Sequence, residues 1–128
     1  MTYTIKTRIY QTDTRTYFNL VETGVWHYAR GGQWDLSPTT PTLTMGDSGT
    51  SGILRFKTEA NRECFFVAMG VHNWKPWVDL VTNLRDEDTG VRCLPEYYEG
   101  GKEERTKARE AQRREWKATN QEGRTIMA

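Results

Sequence analysis

Alternating polar and apolar positions dominate the first half of the chain and predict β-strands. Segment 3–10 shows this most clearly, because every second residue falls on one face: Tyr3, Ile5, Thr7 and Ile9. Further strands are predicted over 17–29, 41–45, 53–57 and 64–71, with turns at 30–34 and 58–63. This spacing of strands and turns favours an antiparallel β-sandwich.

After residue 72 the apolar spacing becomes helical. An i, i+3, i+4, i+7 pattern predicts an amphipathic helix whose apolar stripe has four members: Trp77, Leu80, Val81 and Leu84. Asn73 is a candidate N-cap for this helix, and Gly90 lies beyond its expected end.

A second helix is predicted over the charged segment 102–117, "KEERTKAREAQRREWK". It carries two pairs at i, i+4 spacing, Glu103 with Lys107 and Glu110 with Arg114. Residues 118–128 predict a turn followed by a short strand. Since no repeat or flexible linker interrupts the chain, we expect one domain over residues 1–128.

Composition indicates a neutral, soluble globule. The chain is 36% hydrophobic, has a mean hydropathy of -0.80 in 128 residues, and balances 18 basic against 17 acidic side chains. That balance gives no general attraction to nucleic acid or anionic membrane. The N-terminus lacks the apolar core of a secretory signal, and Cys64 and Cys93 are expected to be reduced and buried. We therefore expect a cytoplasmic protein.

The tetrapeptide "GDSG" at residues 46–49 surrounds the nucleophile of trypsin-like proteases, which makes Ser48 a candidate nucleophile. His27 and Asp35 precede it in the right order, but so short a gap does not suit residues brought from separate loops. The protease fold also needs a longer chain. A phosphate-binding loop is disfavoured as well, because no lysine follows Gly52 and Asp47 would repel an anion.

No metal site is indicated by the histidines and cysteines, whose spacing matches no common ligand motif. Each histidine is instead expected to be a hydrogen-bonded structural residue. In segment 102–117 the acidic side chains are interleaved with the basic ones, which favours a solvent-facing helix over a nucleic-acid surface.

A neutral polar ligand remains for the loop at 46–52, where small side chains leave the backbone accessible: Gly46, Ser48, Gly49, Ser51 and Gly52. Sugars need paired donors and acceptors of this kind, together with an aromatic surface for their apolar face. The alternative is an ordinary β-loop that contains glycine.

Long blocks of the sequence resemble the fungal fruit-body lectins of mushrooms. They include "YTIKTRIYQT", "LTMGDSGTSGILRF", "GVHNWKPWVDLVTNL" and "AREAQRREW", in that order and over most of the chain. The resemblance implies an actinoporin-like antiparallel β-sandwich (mainly β, α+β) with a helix-loop-helix. It also implies a homotetramer that binds Galβ1-3GalNAc, the Thomsen–Friedenreich disaccharide, on O-linked glycans and glycoproteins, with no metal or other cofactor and no enzymatic activity. Many members bind GlcNAc at a second site and act against nematodes and insects.

Carried over to this chain, the resemblance implies a galactose/GalNAc site at Ala29, Ser48, Gly49 and Asn73. The tentative GlcNAc site has five residues: Asp79, Leu80, Thr82, Arg105 and Trp116. Asp79 and Thr82 would share a face of the predicted helix. In one straight helix Arg105 and Trp116 would lie ~16 Å apart, so the chain is expected to leave the helix near Gln112 and to place Trp116 on a strand.

Four departures from the family pattern affect these expectations. Trp116 replaces a tyrosine, Asp47 a glycine and Arg30 an asparagine. The family pattern also continues beyond residue 128, so the C-terminal strands are expected to be shortened. An alternative function is that of a membrane-acting cytolysin, which would need an inserting N-terminal helix where residues 1–11 predict a strand. A third is an interaction module that uses the charged helix.

Overall fold

The structure, a computed structural model, describes residues 3–11, 18–26, 32–36, 40–46, 49–58, 63–85, 88–98, 103–119 and 125–128. The strands in these ranges are β1 Tyr3–Lys6, β2 Tyr10–Gln11, β3 Phe18–Trp26, β4 Gly32–Asp35, β5 Thr42–Met45, β6 Ser51–Thr58, β7 Cys64–His72, β8 Lys75–Val81, β9 Lys117–Thr119 and β10 Thr125–Met127. The helices are α1 Gly90–Cys93, a 3₁₀ turn Leu94–Tyr97, and α2 Glu103–Ala111. The mainly β prediction is confirmed.

The strands form three antiparallel sheets. The largest has the order β3-β6-β7-β8, and two smaller ones have the orders β1-β5-β4 and β2-β10-β9. A core of side chains from all three sheets lies between the large sheet and the small ones, including Leu43, Val67 and Ile126. A second core joins the opposite face of the large sheet to the helices, including Phe66 and Tyr97.

Strand β7 lies in the middle of this arrangement, and both of its faces are covered. Phe65 stacks on Phe56 at a ring distance of 4.9 Å in the first core, whereas Phe66 meets the edge of Tyr97 in the second. This explains why "CFFVAMGV" is a continuous apolar run and does not alternate.

Strand β1 and the residues after it follow the predicted alternation. Ile5 packs against the first core, and Thr7 is buried, its hydroxyl 2.7 Å from Met69 Sδ. Lys6 and Arg8 are exposed. Residues 3–11 contain the strands β1 and β2 and no helix, so they do not form the N-terminal helix that the cytolysin alternative needs.

The predicted helix over residues 77–84 is wrong, since most of this segment is strand β8. The strand is buried on both faces: Trp77 packs in the second core with the helices, and Leu80 packs in the first core. Apolar residues on both faces match a helical spacing by coincidence. Asn73 is consequently not a helix cap, and Gly90 begins α1, where its N–H donates to Glu22 Oε1 at 2.7 Å.

The helix-loop-helix implied by the resemblance is present. Thr89 caps α1 by accepting a hydrogen bond from the Arg92 N–H, and the 3₁₀ turn continues directly from it. The charged helix is confirmed as α2, but it ends at Ala111, and Gln112 has a φ of 53°. The expected break near Gln112 is thus confirmed, and Arg114 lies beyond the helix.

Two further predictions concern short elements. The turn predicted over 30–34 is wrong at its end, because Gly32–Asp35 is β4, held by the Trp34 indole, which donates to the Gly24 carbonyl at 2.9 Å. The predicted C-terminal strand is confirmed as β10, which pairs with β9, whereas the predicted turn at 120–124 lies outside the described residues. Trp116, expected on a strand, lies one residue before β9, where two backbone hydrogen bonds of 3.0 Å to Ala128 continue the pairing of β9 with β10. Cys64 and Cys93 are both buried and not joined by a disulfide, as predicted.

Candidate functional site

The loop that enters β6 is joined to the end of β7. Gly49 has a φ of 94°, which favours glycine, and its N–H donates to the Val71 carbonyl at 2.7 Å. The Val71 N–H in turn donates to the Thr50 carbonyl at 3.2 Å. The backbone around Gly49 is therefore fixed beside the β7–β8 turn.

Asn73 and Trp74 form that two-residue turn between the paired residues His72 and Lys75. Their φ values of 49° and 65° are both left-handed, the pattern of a type I′ hairpin. Asparagine tolerates this conformation, whereas tryptophan rarely adopts it. Asn73 is exposed, and Trp74 is 71% exposed. The turn thus presents a carboxamide and an indole side by side at the end of the large sheet.

The helical layer supports this turn and loop from the side. The Tyr98 hydroxyl lies 2.7 Å from Ser51 Oγ and 3.3 Å from the Gly49 carbonyl oxygen. The Arg109 guanidinium lies 5.0 Å from the centre of the Tyr98 ring, which Trp26 approaches at 6.3 Å from another strand. Trp26 is 37% exposed and adds a second indole to this end of the sheet.

His72 connects α2 to the turn. A terminal nitrogen of Arg109 lies 2.9 Å from its Nδ1, and the Gln112 amide donates to its carbonyl at 2.6 Å. Burial, and then the neighbouring charge of Arg109, lower the pKa of the imidazole, while Glu110 raises it. His72 is thus a hydrogen-bonded residue, as expected from the sequence.

Two of the four residues expected for the galactose/GalNAc site are described, and they lie at this place. Gly49 and Asn73 come from the β5–β6 loop and the β7–β8 turn, which meet through the hydrogen bonds of Val71. Ala29 and Ser48 lie outside the described residues, as do His27, Asp47 and Arg30. The arrangement of a serine protease site would need His27 and Ser48, so it too falls outside the described residues.

The expected GlcNAc site has a different geometry from the predicted one. Asp79 is on a strand and 6% exposed, and the Tyr97 hydroxyl donates to its carboxylate at 2.6 Å. Burial, followed by the Asp79 charge, raises the pKa of Tyr97 well above its usual value, and Arg105 lowers it. Leu80 is buried in the first core. The prediction that Asp79 and Thr82 share a helical face is therefore wrong.

Arg105 and Trp116, the other two expected GlcNAc residues, contact different sets of residues. Arg105 lies over the Phe66 ring and has its Nε 3.8 Å from Glu96 Oε1. Trp116 is 38% exposed and stacks under Arg113 at 3.9 Å. It lines a cavity of about 740 Å³ between β1, β8 and the C-terminal hairpin. Of the five expected GlcNAc residues, Trp116 alone lines this cavity in the described part of the chain.

The comparison with known families agrees with this architecture. A family model of fungal fruit body lectins matches residues 1–128. The chain belongs to the fungal fruit body lectin family. It is therefore a carbohydrate-binding lectin.

Relatives of this lectin include the Boletus edulis lectin, which is 46% identical over 121 residues; the alignment covers 94% of this chain and 82% of the relative. Two solved structures of the Xerocomus chrysenteron lectin XCL are similar in fold, each at 44% identity and over 99% of this chain. The wild-type protein has a TM-score of 0.89 over 87% of its chain, and a triple mutant one of 0.90 over 86% of its chain. These relatives are lectins.

Several residues of this candidate site were not predicted from the sequence. They are the aromatic and basic side chains that support Gly49 and Asn73: Trp26, Tyr98 and Arg109. Tyr98 and Arg109 come from segments far along the chain, and no local spacing links them to the turn. Within the described ranges, no three His, Cys, Asp or Glu side chains are grouped closely enough to hold a metal ion. Nor does any described helix have the length and hydropathy to span a membrane.

Proposed function

We propose that this lectin binds Galβ1-3GalNAc on O-linked glycans at a site formed by Ala29, Ser48, Gly49 and Asn73. The observation that supports this most directly is the backbone connection of Gly49 to the strand that ends beside Asn73. It brings one backbone position and one exposed carboxamide, both uncharged, to the same end of the large sheet. A neutral sugar needs uncharged donors and acceptors of this type.

The chemistry is equilibrium binding, with no bond made or broken. The Asn73 amide and the backbone at Gly49 supply hydrogen bonds to sugar hydroxyls, and the exposed indoles of Trp26 and Trp74 offer apolar surface nearby. Net hydrogen bonds contribute ~1 kcal/mol each, so single-site dissociation constants fall on the order of millimolar to tens of micromolar. A tetramer on clustered O-glycans would gain about 10² to 10⁴ in avidity.

A glycan array with the purified chain, paired with its mass in solution, tests both parts of this proposal. We expect retention on Galβ1-3GalNAc and terminal GalNAc, inhibition by free disaccharide, and a mass of four chains. Retention on charged glycans alone would contradict the uncharged site. A monomeric mass, together with weak binding that free disaccharide inhibits, would refute the proposed tetramer and support the proposed site.

We also propose a second site, for GlcNAc, near Arg105 and Trp116. Asp79 and Leu80 are buried on opposite faces of β8, so only Asp79, on the helix side with Arg105, would shape such a site from beneath. The exposed part of Trp116 would stack on the sugar. Trp116→Ala should weaken GlcNAc binding and leave Galβ1-3GalNAc binding unchanged. Equal weakening for both sugars would mean that the substitution acts on packing.

The proposed setting is a cytoplasmic lectin that defends the fungus against nematodes and insects that feed on it. Its toxicity would depend on glycan binding in the animal. Feeding nematodes with wild-type protein and with Asn73→Ala tests this, and toxicity is expected only from the wild type. Equal toxicity of the two proteins would separate any defence role from this site.

A further inference from the structure

We propose that His72 and Arg109 orient the Asn73 carboxamide, so that its NH₂ group is the one presented to the sugar. His72 and Arg109 would be positioning residues that need not touch the ligand. This inference rests on the proposed function, since it concerns how Asn73 contacts the saccharide.

Arg109 is held firmly enough to impose a direction on its neighbour. Its Nε–H donates to the Tyr97 carbonyl at 2.8 Å, and its guanidinium carbon lies over the Tyr98 ring. A terminal nitrogen of the same guanidinium lies 2.9 Å from His72 Nδ1. Guanidinium groups donate hydrogen bonds and accept none, so Nδ1 of His72 must be the acceptor.

The tautomer of His72 follows from that contact. A neutral imidazole carries one proton, and with Nδ1 accepting from Arg109 that proton is on Nε2. The Gln112 amide, which donates to the His72 carbonyl at 2.6 Å, holds the backbone of the same residue. Nε2 is therefore a hydrogen-bond donor that points toward the turn.

The orientation of Asn73 follows from the tautomer. In the structure the Asn73 atom nearest to His72 Nε2 is Nδ2, at 3.4 Å, and turning the amide by 180° places Oδ1 there instead. Two donors cannot share that contact, and the amide oxygen and nitrogen are nearly the same in shape, so the oxygen is the atom that faces the imidazole. Asn73 is exposed, and its NH₂ group is then free to donate to a sugar oxygen. The site selects a ligand oxygen that accepts a hydrogen bond from this group.

Protonation of His72 would break this chain of contacts. An imidazolium has a proton on Nδ1, which would oppose the Arg109 donor. Among the described residues, the charged groups around His72 are Arg109 and Glu110 on α2 and Lys75 across the hairpin. Burial and Arg109 lower the pKa of His72, so the neutral form persists below pH 6.5 and is lost as the pH falls through that lowered pKa. Affinity for the disaccharide should be constant at neutral pH and should decrease in this acidic range.

Two substitutions of His72 separate positioning from general support. The amide of a glutamine reaches the position of Nε2, so it keeps the contact with Asn73. The amide of an asparagine reaches the position of Nδ1, so it keeps the contact with Arg109. His72→Gln preserves a donor to Asn73 and should bind Galβ1-3GalNAc within about twofold of wild type, with no loss at acidic pH. His72→Asn preserves the contact with Arg109 but not the donor, and it should bind about fivefold more weakly.

Nitrogen-15 spectroscopy of the imidazole gives a readout that does not depend on the sugar. Wild-type His72 should be protonated at Nε2, and Arg109→Met should give a mixture of tautomers with a higher pKa. Lys107→Met is the matched control, because it removes a cation from the exposed side of the same helix. Its spectrum and binding should equal those of the wild type. The chain has two histidines, so the His72 variants assign the signals.

Each outcome decides the inference. A proton on Nδ1 in the wild type would overturn it, as would equal affinities and pH profiles for His72→Gln and His72→Asn. If the wild type shows the Nε2 tautomer but does not bind the disaccharide, the proposed function fails and the assigned orientation of Asn73 stands. If the wild type binds and Arg109→Met changes neither the tautomer nor the pH profile, the proposed function stands, but the orientation of Asn73 by Arg109 and His72 is refuted.

Discussion

The hydrogen bond from Tyr97 to Asp79 offers a sharp test of how the helices are attached to the large sheet. Tyr97 is fully buried, and its hydroxyl lies 2.6 Å from the buried carboxylate. Tyr97→Phe removes this donor and leaves the ring contacts with Trp77 and Phe66 in place. The substitution therefore isolates one hydrogen bond to a buried charge, with little change in packing.

The expected cost follows from that geometry. A hydrogen bond to a charged group contributes about 1.5 to 3 kcal/mol, and burial of the unpaired carboxylate places this case at the upper end. For 128 residues the entropy of unfolding is ~0.27 kcal/mol/K. A loss of about 3 kcal/mol in the free energy of unfolding therefore lowers Tm by ~11 °C.

Urea unfolding and thermal scans of Tyr97→Phe measure this cost. Asp79→Asn is the matched control, because its amide oxygen still accepts from Tyr97 and no buried charge is left unpaired. We expect Asp79→Asn to lose less stability than Tyr97→Phe. A loss below about 1 kcal/mol for Tyr97→Phe would refute a stabilising role for the hydrogen bond between Tyr97 and Asp79.

Two substitutions at glycine and in the turn follow from backbone geometry. A Cβ on Gly70 would lie 2.5 Å from the Thr50 carbonyl oxygen, so Gly70→Ala should lose about 2 kcal/mol or more in urea unfolding; the control Gly24→Ala meets only the Ile53 side chain at 3.2 Å and should lose less. Similar losses for both would contradict the close approach at Gly70. Trp74 has a φ of 65°, so Trp74→Gly should be more stable than Trp74→Ala by about 1 kcal/mol, and the reverse order would exclude strain at this position.

How much of the fold was predictable depends on how many faces of each strand are covered. Residues 3–10 have one buried and one exposed side, so the alternation of Ile5 and Lys6 could be read directly. Strand β8 has two buried faces, and its composition alone cannot distinguish it from a helix. In β4, the residues Gly32 and Gln33 resemble turn residues. This segment is a strand because Trp34 packs against the first core, whose residues are distant in sequence.

The candidate site was predictable only in part, for a related reason. Composition indicated an accessible backbone near Gly49, and the resemblance to a known family added Asn73. The contact between Arg109 and His72 joins residues 37 positions apart, and no local pattern records it. From the sequence, an arginine that faces solvent on a helix cannot be distinguished from one that contacts a site residue. Only the tertiary packing shows which of the two it is.

The uncharged groups at Gly49 and Asn73 are proposed to bind Galβ1-3GalNAc. Titration calorimetry of the folded protein with this disaccharide tests this claim most directly, with Asn73→Ala measured in parallel and circular dichroism to verify the fold of both. We expect saturable heat from the wild type and none from Asn73→Ala at the same concentrations. The same heat from both proteins, or none from the folded wild type, would contradict the claim.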